Sequence, residues 1–271
     1  MLVSSVKQEH LISVTRACRI MSVSKTAYYY KSVKQSDDGE IKAYLLSLAL
    51  EHKRWGFEKM MQKAKLDTKP WNHKRVYRIY CKLKLNIRVK PRKRLPKGES
   101  RSLVYPIKLN VCWSMDFMTD VLYTNQKFRT LNIIDDYNRQ ALLVEPAYAL
   151  PSARVTKLVD ELAKKHGYPS MIRVDNGPEF ASGHFKKWAA NRGIKILFIQ
   201  PGKPAQNGLI ERFNRTFREE VLDMYYFDSL DEVKSISANW IEKYNHQRPH
   251  DSLMGLSPIN FADWRNKALI G

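Results

Sequence analysis

The hydrophobic pattern beyond residue 110 alternates between strand-like and helix-like segments. Runs rich in β-branched and aromatic residues, separated by turn-forming residues, predict three successive strands at 111–123, 127–135 and 140–147. Amphipathic and short apolar stretches then predict a helix, a strand, a helix, a strand and a long helix, at 152–166, 171–174, 184–191, 194–199 and 206–222. This order favours an α/β protein with a ribonuclease H-like mixed sheet and flanking helices, although order by itself leaves other α/β folds open.

The first 87 residues carry helical periodicity instead. Residues 14–31 predict two short helices around a tight turn, with Ser24 as the N-cap of the second. This spacing is typical of a helix-turn-helix, whose second helix would offer Lys25 to DNA. Ser22 stands where a turn glycine is usual, and an ordinary helical hairpin is the alternative. The apolar side of the first helix is formed by Ala17, Ile20 and Met21.

A second helical block spans residues 38–85, and its last helix begins after Asn72, a favourable N-cap. The apolar residues of that helix recur at helical spacing and predict a buried stripe of Val76, Ile79, Tyr80 and Leu83. Basic residues on its other faces are available to DNA phosphates, with a solvated basic surface as the alternative. They are Lys74, Arg75 and Arg78.

The net charge of +20 is unevenly distributed. Residues 1–110 hold 26 Lys and Arg against 8 Asp and Glu, a net charge of +18, whereas residues 111–271 hold 21 against 19, a net charge of +2. A basic front half joined to a nearly neutral back half indicates nucleic-acid binding by the front half. Between them, a basic linker interrupted by proline and glycine is expected to lie along bound DNA and to contact it through Lys90, Arg92, Lys93 and Arg94.

Composition excludes several other classes of protein. A hydrophobic fraction of 44% suits a folded chain, and no apolar run approaches the roughly 18 residues that cross a bilayer. The N-terminus lacks a basic segment followed by a long apolar one, so no secretion signal is expected. Cys18, Cys81 and Cys112 are widely spaced, which favours a reducing cytoplasm and argues against a structural zinc site.

Three acidic residues stand in settings that suit catalysis. Asp116 lies inside the first predicted strand beside Phe117, where an unpaired carboxylate would be costly. Asp175 follows a short apolar strand, and Glu211 follows on the long helix after 35 intervening residues. Three such carboxylates can hold two Mg²⁺ (or Mn²⁺) ions, because hard cations prefer oxygen ligands and an ion pair suits phosphodiester cleavage and joining.

Neighbouring charged residues have simpler interpretations available. Arg218 lies two helical turns beyond Glu211 on the same face and is expected to contact a DNA phosphate. The alternative is pairing with an acidic neighbour, Glu219, Glu220 or Asp223. Asp120 shares the strand face of Asp116 and is expected to close that strand. The acidic residues expected to build the next turn are Asp135 and Asp136.

Five motifs follow one another along nearly the whole chain: Trp55-Gly56-Phe57 with residues 72–78, then residues 113–117, 175–180, 203–208 and 244–250. In this order they resemble the transposases encoded by the second reading frame of bacterial insertion sequences, in the group named after insertion sequence three. That group belongs to the DDE superfamily together with retroviral integrases. Several matching motifs in the right order make the resemblance specific.

The resemblance implies that Asp116, Asp175 and Glu211 ligate Mg²⁺ while water or a DNA 3′-hydroxyl attacks a phosphodiester at an element end or a target. Further DNA contacts are expected within the matching motifs at Lys203, Asn207 and Arg248, and at Arg218, whose seven-residue step from Glu211 matches the family's basic residue. Double-stranded DNA is then the partner, and synapsis of two ends implies a homo-multimer. Such families also use an upstream-frame product, fused by frameshift or associated. The resemblance places the protein at the bacterial nucleoid.

We therefore predict a transposase built from five segments: a helix-turn-helix-like segment, a second helical DNA-binding segment, a basic linker, an integrase-like catalytic core and a C-terminal helical extension, at residues 1–35, 36–87, 88–108, 109–225 and 226–271. Two alternatives stay open at this point. One is an inactive or domesticated copy that binds DNA, and the other is a metal-dependent nuclease of the same fold.

Overall fold

The computed structural model describes residues 2–30, 37–87, 106–200 and 204–270. The chain divides into two compact units, residues 1–41 and residues 42–271. Within the described ranges, no helix is long and apolar enough to cross a membrane.

The first unit contains three short helices, α1 (Leu2–Glu9), α2 (Val14–Ile20) and α3 (Lys25–Tyr29). The turn between α2 and α3 forms as predicted: Ser22 adopts a left-handed φ of 53°, and Ser24 Oγ accepts a hydrogen bond of 3.0 Å from the Ala27 N–H. Ile20 is 60% exposed, so its predicted place on the apolar side is wrong. The buried residues of this unit's core are Val3, Ala17 and Cys18.

Three helices precede the sheet, α4 (Asp38–Glu51), which spans the boundary between the units, α5 (Phe57–Leu66) and α6 (His73–Lys82). Asn72 caps α6 as predicted, because its side chain accepts a hydrogen bond of 2.9 Å from the Lys74 N–H. The predicted stripe of α6 is also confirmed: Val76, Ile79 and Tyr80 are buried and Leu83 is half-buried.

Among the described residues, five strands form one mixed sheet in the order β3-β2-β1-β4-β5. The strands are β1 (Cys112–Val121), β2 (Lys127–Asp135), β3 (Ala141–Ala147), β4 (Met171–Val174) and β5 (Lys195–Phe198). The first three pair antiparallel, whereas β4 lies parallel to both β1 and β5. This is the predicted ribonuclease H-like arrangement, and each strand begins and ends within two residues of its predicted limits.

Helices cover both faces of the sheet. The helices of one face are α7 (Ser152–His166), α8 (Pro178–Ala181) and α9 (Gly183–Asn191), and those of the other are α10 (Gly208–Glu220) and α11 (Leu230–His246). Trp113 and Met115 of β1 belong to the core beneath α7 to α9, and Met118 belongs to the core beneath α10 and α11. Because side chains of a strand alternate between faces, Asp116 shares the α10 face with Met118.

The C-terminal part and the preceding helical block are joined by polar contacts within the second unit. Lys243 Nζ of α11 lies 2.6 Å from Glu51 Oε1 at the end of α4. Gln62 of α5 donates a hydrogen bond of 3.0 Å to Asp251 in the 3₁₀ turn that precedes α12 (Pro258–Ile270). These contacts connect the helices on either side of Trp55 to the C-terminal part of the same unit. Trp55 itself is 2% exposed.

Candidate active site

Asp116 occupies the middle of β1, opposite Asn132 of β2, and is half-buried. Its Oδ1 accepts a hydrogen bond of 2.8 Å from the Phe117 N–H, and its Oδ2 accepts one of 2.8 Å from the Asn214 side-chain amide of α10. Burial raises the pKa of Asp116 to about 6, and the negative charges of Asp175 and Glu211 act in the same direction. The three predicted acidic residues are therefore close enough for their charges to interact.

Asp175 follows β4 directly, at the carboxyl end of a strand that lies beside β1. Its Oδ1 accepts a hydrogen bond of 3.0 Å from the Gly177 N–H, which turns the carboxylate towards its own loop. Asn176 donates a hydrogen bond of 2.9 Å to the Ile199 carbonyl and fastens the loop to the end of β5. A Cβ atom on Gly177 would lie 3.0 Å from Asp175 Oδ1, so this turn has little room for another residue type.

Glu211 lies in the first turn of α10 and is exposed. A carboxylate is favourable there because the unpaired N–H groups of a helix start carry partial positive charge. Asn207 precedes the helix as its N-cap residue and is 3% exposed, with its Oδ1 buried and without a hydrogen bond. The predicted DNA contact of Asn207 would therefore require a change in its surroundings.

The donor set suits a divalent cation, because it consists of carboxylate oxygens that repel one another. Within the described parts of the chain, no group of three or more His, Cys, Asp or Glu side chains is close enough to hold a metal ion as placed. Asp175 is turned towards Gly177, and Glu211 extends into solvent. The arrangement thus brings the charges near one another without bringing all three carboxylates to ligand distance.

Two hydrogen-bonding partners around the acidic residues were missed from the sequence. Asn214 lies three residues after Glu211, on the same side of α10, and joins Asp116 to Asn132. That spacing was the available signal, although no role follows from it without knowledge that α10 crosses β1. Arg129 of β2 is the second partner and forms an ion pair with Glu179, four residues after Asp175.

The guanidinium of Arg218 has partners within the protein. Its Nη1 lies 3.0 Å from Asp120 Oδ2 and 3.7 Å from Asp223 Oδ1, and its Nη2 donates a hydrogen bond of 2.9 Å to the Thr119 carbonyl. The alternative of pairing with Asp223 is thus present, and Asp120 adds a partner that the sequence did not indicate. A DNA contact by Arg218 stays a prediction and requires exchange of these partners.

Arg248 was expected to contact DNA, but it is 7% exposed and paired inside the protein, which favours a structural role. Its guanidinium donates hydrogen bonds to both carboxylate oxygens of Glu220, with Nη2 2.9 Å from Oε1 and Nε 3.3 Å from Oε2. Asp136 lies in the turn as expected, and its fully buried side chain also pairs with Arg173, with Oδ2 2.5 Å from Nη1. Asp135 does build the turn, since its Oδ1 accepts a hydrogen bond from the Tyr137 N–H.

The remaining predicted DNA contacts fall into two groups. Lys25, Lys74 and Arg78 are exposed and Arg75 is half-buried, so their side chains lie at the surface of their respective units. The others lie outside the described residues, namely Lys90, Arg92, Lys93, Arg94 and Lys203.

Comparison with known proteins identifies the class. Two family models, both described as integrase core domain, match residues 108–204 and 192–258. An uncharacterized 39.2 kDa protein of insertion element IS476 from Xanthomonas euvesicatoria is 35% identical over 251 residues, which cover 93% of this chain and 72% of that protein. An uncharacterized 31.7 kDa protein of insertion element IS407 from Burkholderia multivorans is 33% identical, over 96% of this chain and 94% of that protein.

Two more distant matches were also found. The putative transposase InsK of insertion sequence element IS150 from Escherichia coli is 23% identical, over 90% of this chain and 91% of that protein. The HTLV-2 integrase catalytic core domain in complex with magnesium is 19% identical, with a TM-score of 0.46, and the match covers 58% of this chain and 98% of that one.

The sheet order and the integrase-core matches define a polynucleotidyl transferase of the DDE type with a ribonuclease H-like fold. More narrowly, the chain belongs to the transposases of bacterial insertion sequences, and its function is DNA transposition.

Proposed function

We propose that Asp116, Asp175 and Glu211 are the catalytic residues and that together they hold divalent cations, Mg²⁺ or Mn²⁺, with two ions expected when DNA is bound. The observation that carries this proposal is geometric: β1 with Asp116 lies beside β4, which Asp175 follows, and the hydrogen bond from Asn214 to Asp116 holds the Glu211 helix against β1. Burial and the charges of the other two carboxylates raise the pKa of Asp116, which agrees with this arrangement. A half-buried site with mutually repelling oxygen ligands favours a cation. Membership of the integrase-core family supports the same assignment.

Each of the three residues has a distinct part in this proposal. Asp116 is fixed by two hydrogen bonds and supplies the constant side of the site. Asp175 and Glu211 come from a loop and a helix start, and their side chains would have to turn towards Asp116 to share a cation with it. Cations held by Asp116, Asp175 and Glu211 would supply activation of the attacking oxygen, from water or a DNA 3′-hydroxyl, and stabilisation of the leaving oxygen. Joining differs from hydrolysis only in the attacking group, which is a DNA 3′-hydroxyl in joining and water in hydrolysis.

DNA binding is proposed for the basic front half. Its net charge of +18 suits phosphate contacts, and the five segments predicted above divide the work between DNA binding and chemistry. Lys25, Lys74, Arg75 and Arg78 are the proposed contacts of the helical segments. The partners are element ends and target DNA, bound by a multimer at the nucleoid in the cytoplasm, with an upstream-frame product fused or associated.

The decisive experiment is strand cleavage and joining on labelled DNA that carries the element's own ends, with Mg²⁺ or Mn²⁺ and with or without the fused upstream frame. Wild-type protein is expected to give joined products, and Glu211→Gln is expected to give none. Glu219→Gln is the matched control, because Glu219 is an exposed carboxylate on the same helix. It should retain the products.

The other outcomes separate the alternatives. Nicks without joining would favour a nuclease, and binding without any chemistry, even for the fused form, would indicate an inactive copy. Equal activity of Glu211→Gln and wild type would refute the assignment of Glu211 while leaving transposition itself in place.

A further inference from the structure

A chain of two buried asparagines connects the Glu211 helix to the Asp116 strand. Asn132 Nδ2 of β2 donates a hydrogen bond of 2.7 Å to Asn214 Oδ1, and Asn214 Nδ2 donates one of 2.8 Å to Asp116 Oδ2. Asn132 is fully buried and Asn214 is 8% exposed. Each amide nitrogen donates to the oxygen of the next side chain, so the series of hydrogen bonds runs in one direction and ends on the carboxylate of Asp116.

These two hydrogen bonds lie where the strand that carries Asp116 meets the helix that carries Glu211. Asn132 is the register partner of Asp116, so both side chains belong to the same place on the sheet. Asn214 follows Glu211 by three residues and therefore lies about one helical turn further along the same side of α10. Any shift of α10 along the sheet would break the bond to Asp116 and would also move Glu211.

The chemical type of residue 214 is informative. A lysine or arginine at this place would neutralise Asp116 and compete with a cation, and an acidic residue would add repulsion. The amide of Asn214 donates to the carboxylate without adding charge, so Asp116 keeps its negative charge for a metal. The bond also fixes one oxygen of Asp116, which reduces the freedom that metal binding would otherwise have to remove.

We propose that Asn214 is a positioning residue, which acts with Asn132 to hold Asp116 and the Glu211 helix in the relation that allows both carboxylates to bind one divalent cation. This inference rests on the proposed function of the acidic residues. It assigns a role in metal affinity to residues that carry no charge.

A merely structural role is the competing explanation, and the chain offers a matched control for it. Asn245 of α11 is 5% exposed and also makes two hydrogen bonds, accepting from the Ala141 N–H and donating to the Ala141 carbonyl, both at 2.9 Å. It fastens a helix to the same face of the sheet. Loss of its amide should therefore cost stability without any specific effect on a cation at Asp116.

The test compares Asn214→Leu, Asn132→Leu and Asn245→Leu, with Mn²⁺ binding followed by electron paramagnetic resonance and apo stability followed by denaturant unfolding. We expect Asn214→Leu to weaken Mn²⁺ binding about 10- to 100-fold, as loss of an outer-shell partner does in metal sites. Asn132→Leu should weaken it in the same direction but less. Asn245→Leu should bind Mn²⁺ as wild type does, in the folded fraction.

A thermodynamic cycle supplies the specific readout. In an Asp116→Asn background, Asn214→Leu should cause no further loss of Mn²⁺ affinity, because the carboxylate that it positions is gone. If Asn214→Leu does not fold, Asn214→Ala takes its place in the same cycle.

The outcomes distinguish the positioning role of Asn214 from the proposed metal site. Wild-type affinity in the Asn214 variant, or an equal loss in Asn245→Leu, would overturn the positioning role. An absence of Mn²⁺ binding by wild type, or no effect of Asp116→Asn on it, would instead overturn the proposed metal site and this inference with it.

Discussion

Carboxylates lie near both ends of α10, and the two ends differ in how that negative charge is balanced. At the start of the helix, burial and neighbouring carboxylates raise the pKa of Asp116 to about 6. At its end, burial would raise the pKa of Glu220, but the charge and hydrogen bonds of Arg248 outweigh burial and lower that pKa. Trp240 adds a further hydrogen bond of 3.0 Å to Glu220.

This contrast distinguishes the proposed metal site at Asp116 from the structural ion pair of Glu220 and Arg248. A carboxylate that is paired inside the protein has its charge satisfied and stabilises the fold as long as the pair is complete. A carboxylate cluster whose members repel one another destabilises the fold slightly and becomes favourable when a cation arrives. The same helix therefore carries a proposed metal ligand in its first turn and a structural ion pair in its last.

The largest predicted effect concerns the structural end. Arg248→Met leaves the Glu220 carboxylate buried without its cation, and breaking a buried pair in this way costs about 3–5 kcal/mol of unfolding free energy. Denaturant unfolding at pH 7 measures this directly. Replacement of both partners, Glu220→Gln with Arg248→Met, should recover more than half of the loss.

The same variant also tests the predicted DNA contact of Arg248 against this structural role. Folded Arg248→Met protein should bind DNA with unchanged affinity, because the guanidinium is buried against Glu220. Normal stability combined with weakened DNA binding would restore the original assignment and remove one side of the comparison.

A smaller effect of opposite sign is expected at the catalytic end. The folded-state pKa of Asp116 is about 6 against an ordinary 3.8, so the folded protein binds its proton more tightly than the unfolded chain does. The contribution of Asp116 to wild-type stability in EDTA should therefore fall as the pH rises from about 4 to about 6. Asp116→Asn removes this penalty, and relative to wild type it should gain about 1–2 kcal/mol between pH 4.5 and pH 7.5, after allowance for partial exposure.

The pH dependence is the decisive part of that measurement, because a hydrogen bond lost through the substitution costs the same at both pH values. Glu220→Gln provides the contrast: its loss of stability should be larger at pH 7.5 than at pH 4.5, since the lowered pKa of Glu220 stabilises the ionised form. Identical pH profiles for the two variants would contradict the comparison.

The sequence was sufficient for much of the fold because strand and helix periods are local. The limits of β2, Lys127–Asp135, and of α7, Ser152–His166, agree with the prediction at both ends. Helix α8 was missed because its four residues are too few to show a helical period. A mixed sheet was predicted as well, whereas the order of its five strands required the structure.

Side-chain partners were much less accessible, because they depend on contacts between distant parts of the chain. The bond from Asn214 to Asp116 spans 98 residues, and that from Arg248 to Glu220 spans 28. An arginine within a sequence motif gives no indication of whether it pairs with a buried carboxylate of the same protein. The acidic motifs could be found in the sequence, whereas the residues that hold them in place required the structure.

The smallest predicted effect concerns Arg218, which lies in the last turn of α10 and pairs with Asp120 and Asp223 at a partly exposed position. Such pairs contribute at most about 1 kcal/mol, so Arg218→Gln should change unfolding free energy by less than that. If the guanidinium exchanges Asp120 for a DNA phosphate, the same variant should weaken DNA binding and reduce the slope of log affinity against log salt by about 1. Asp120→Asn, which releases the guanidinium, should strengthen DNA binding at low salt. A loss of stability as large as that of Arg248→Met, with no change in the salt dependence, would assign Arg218 to the structural end of the helix.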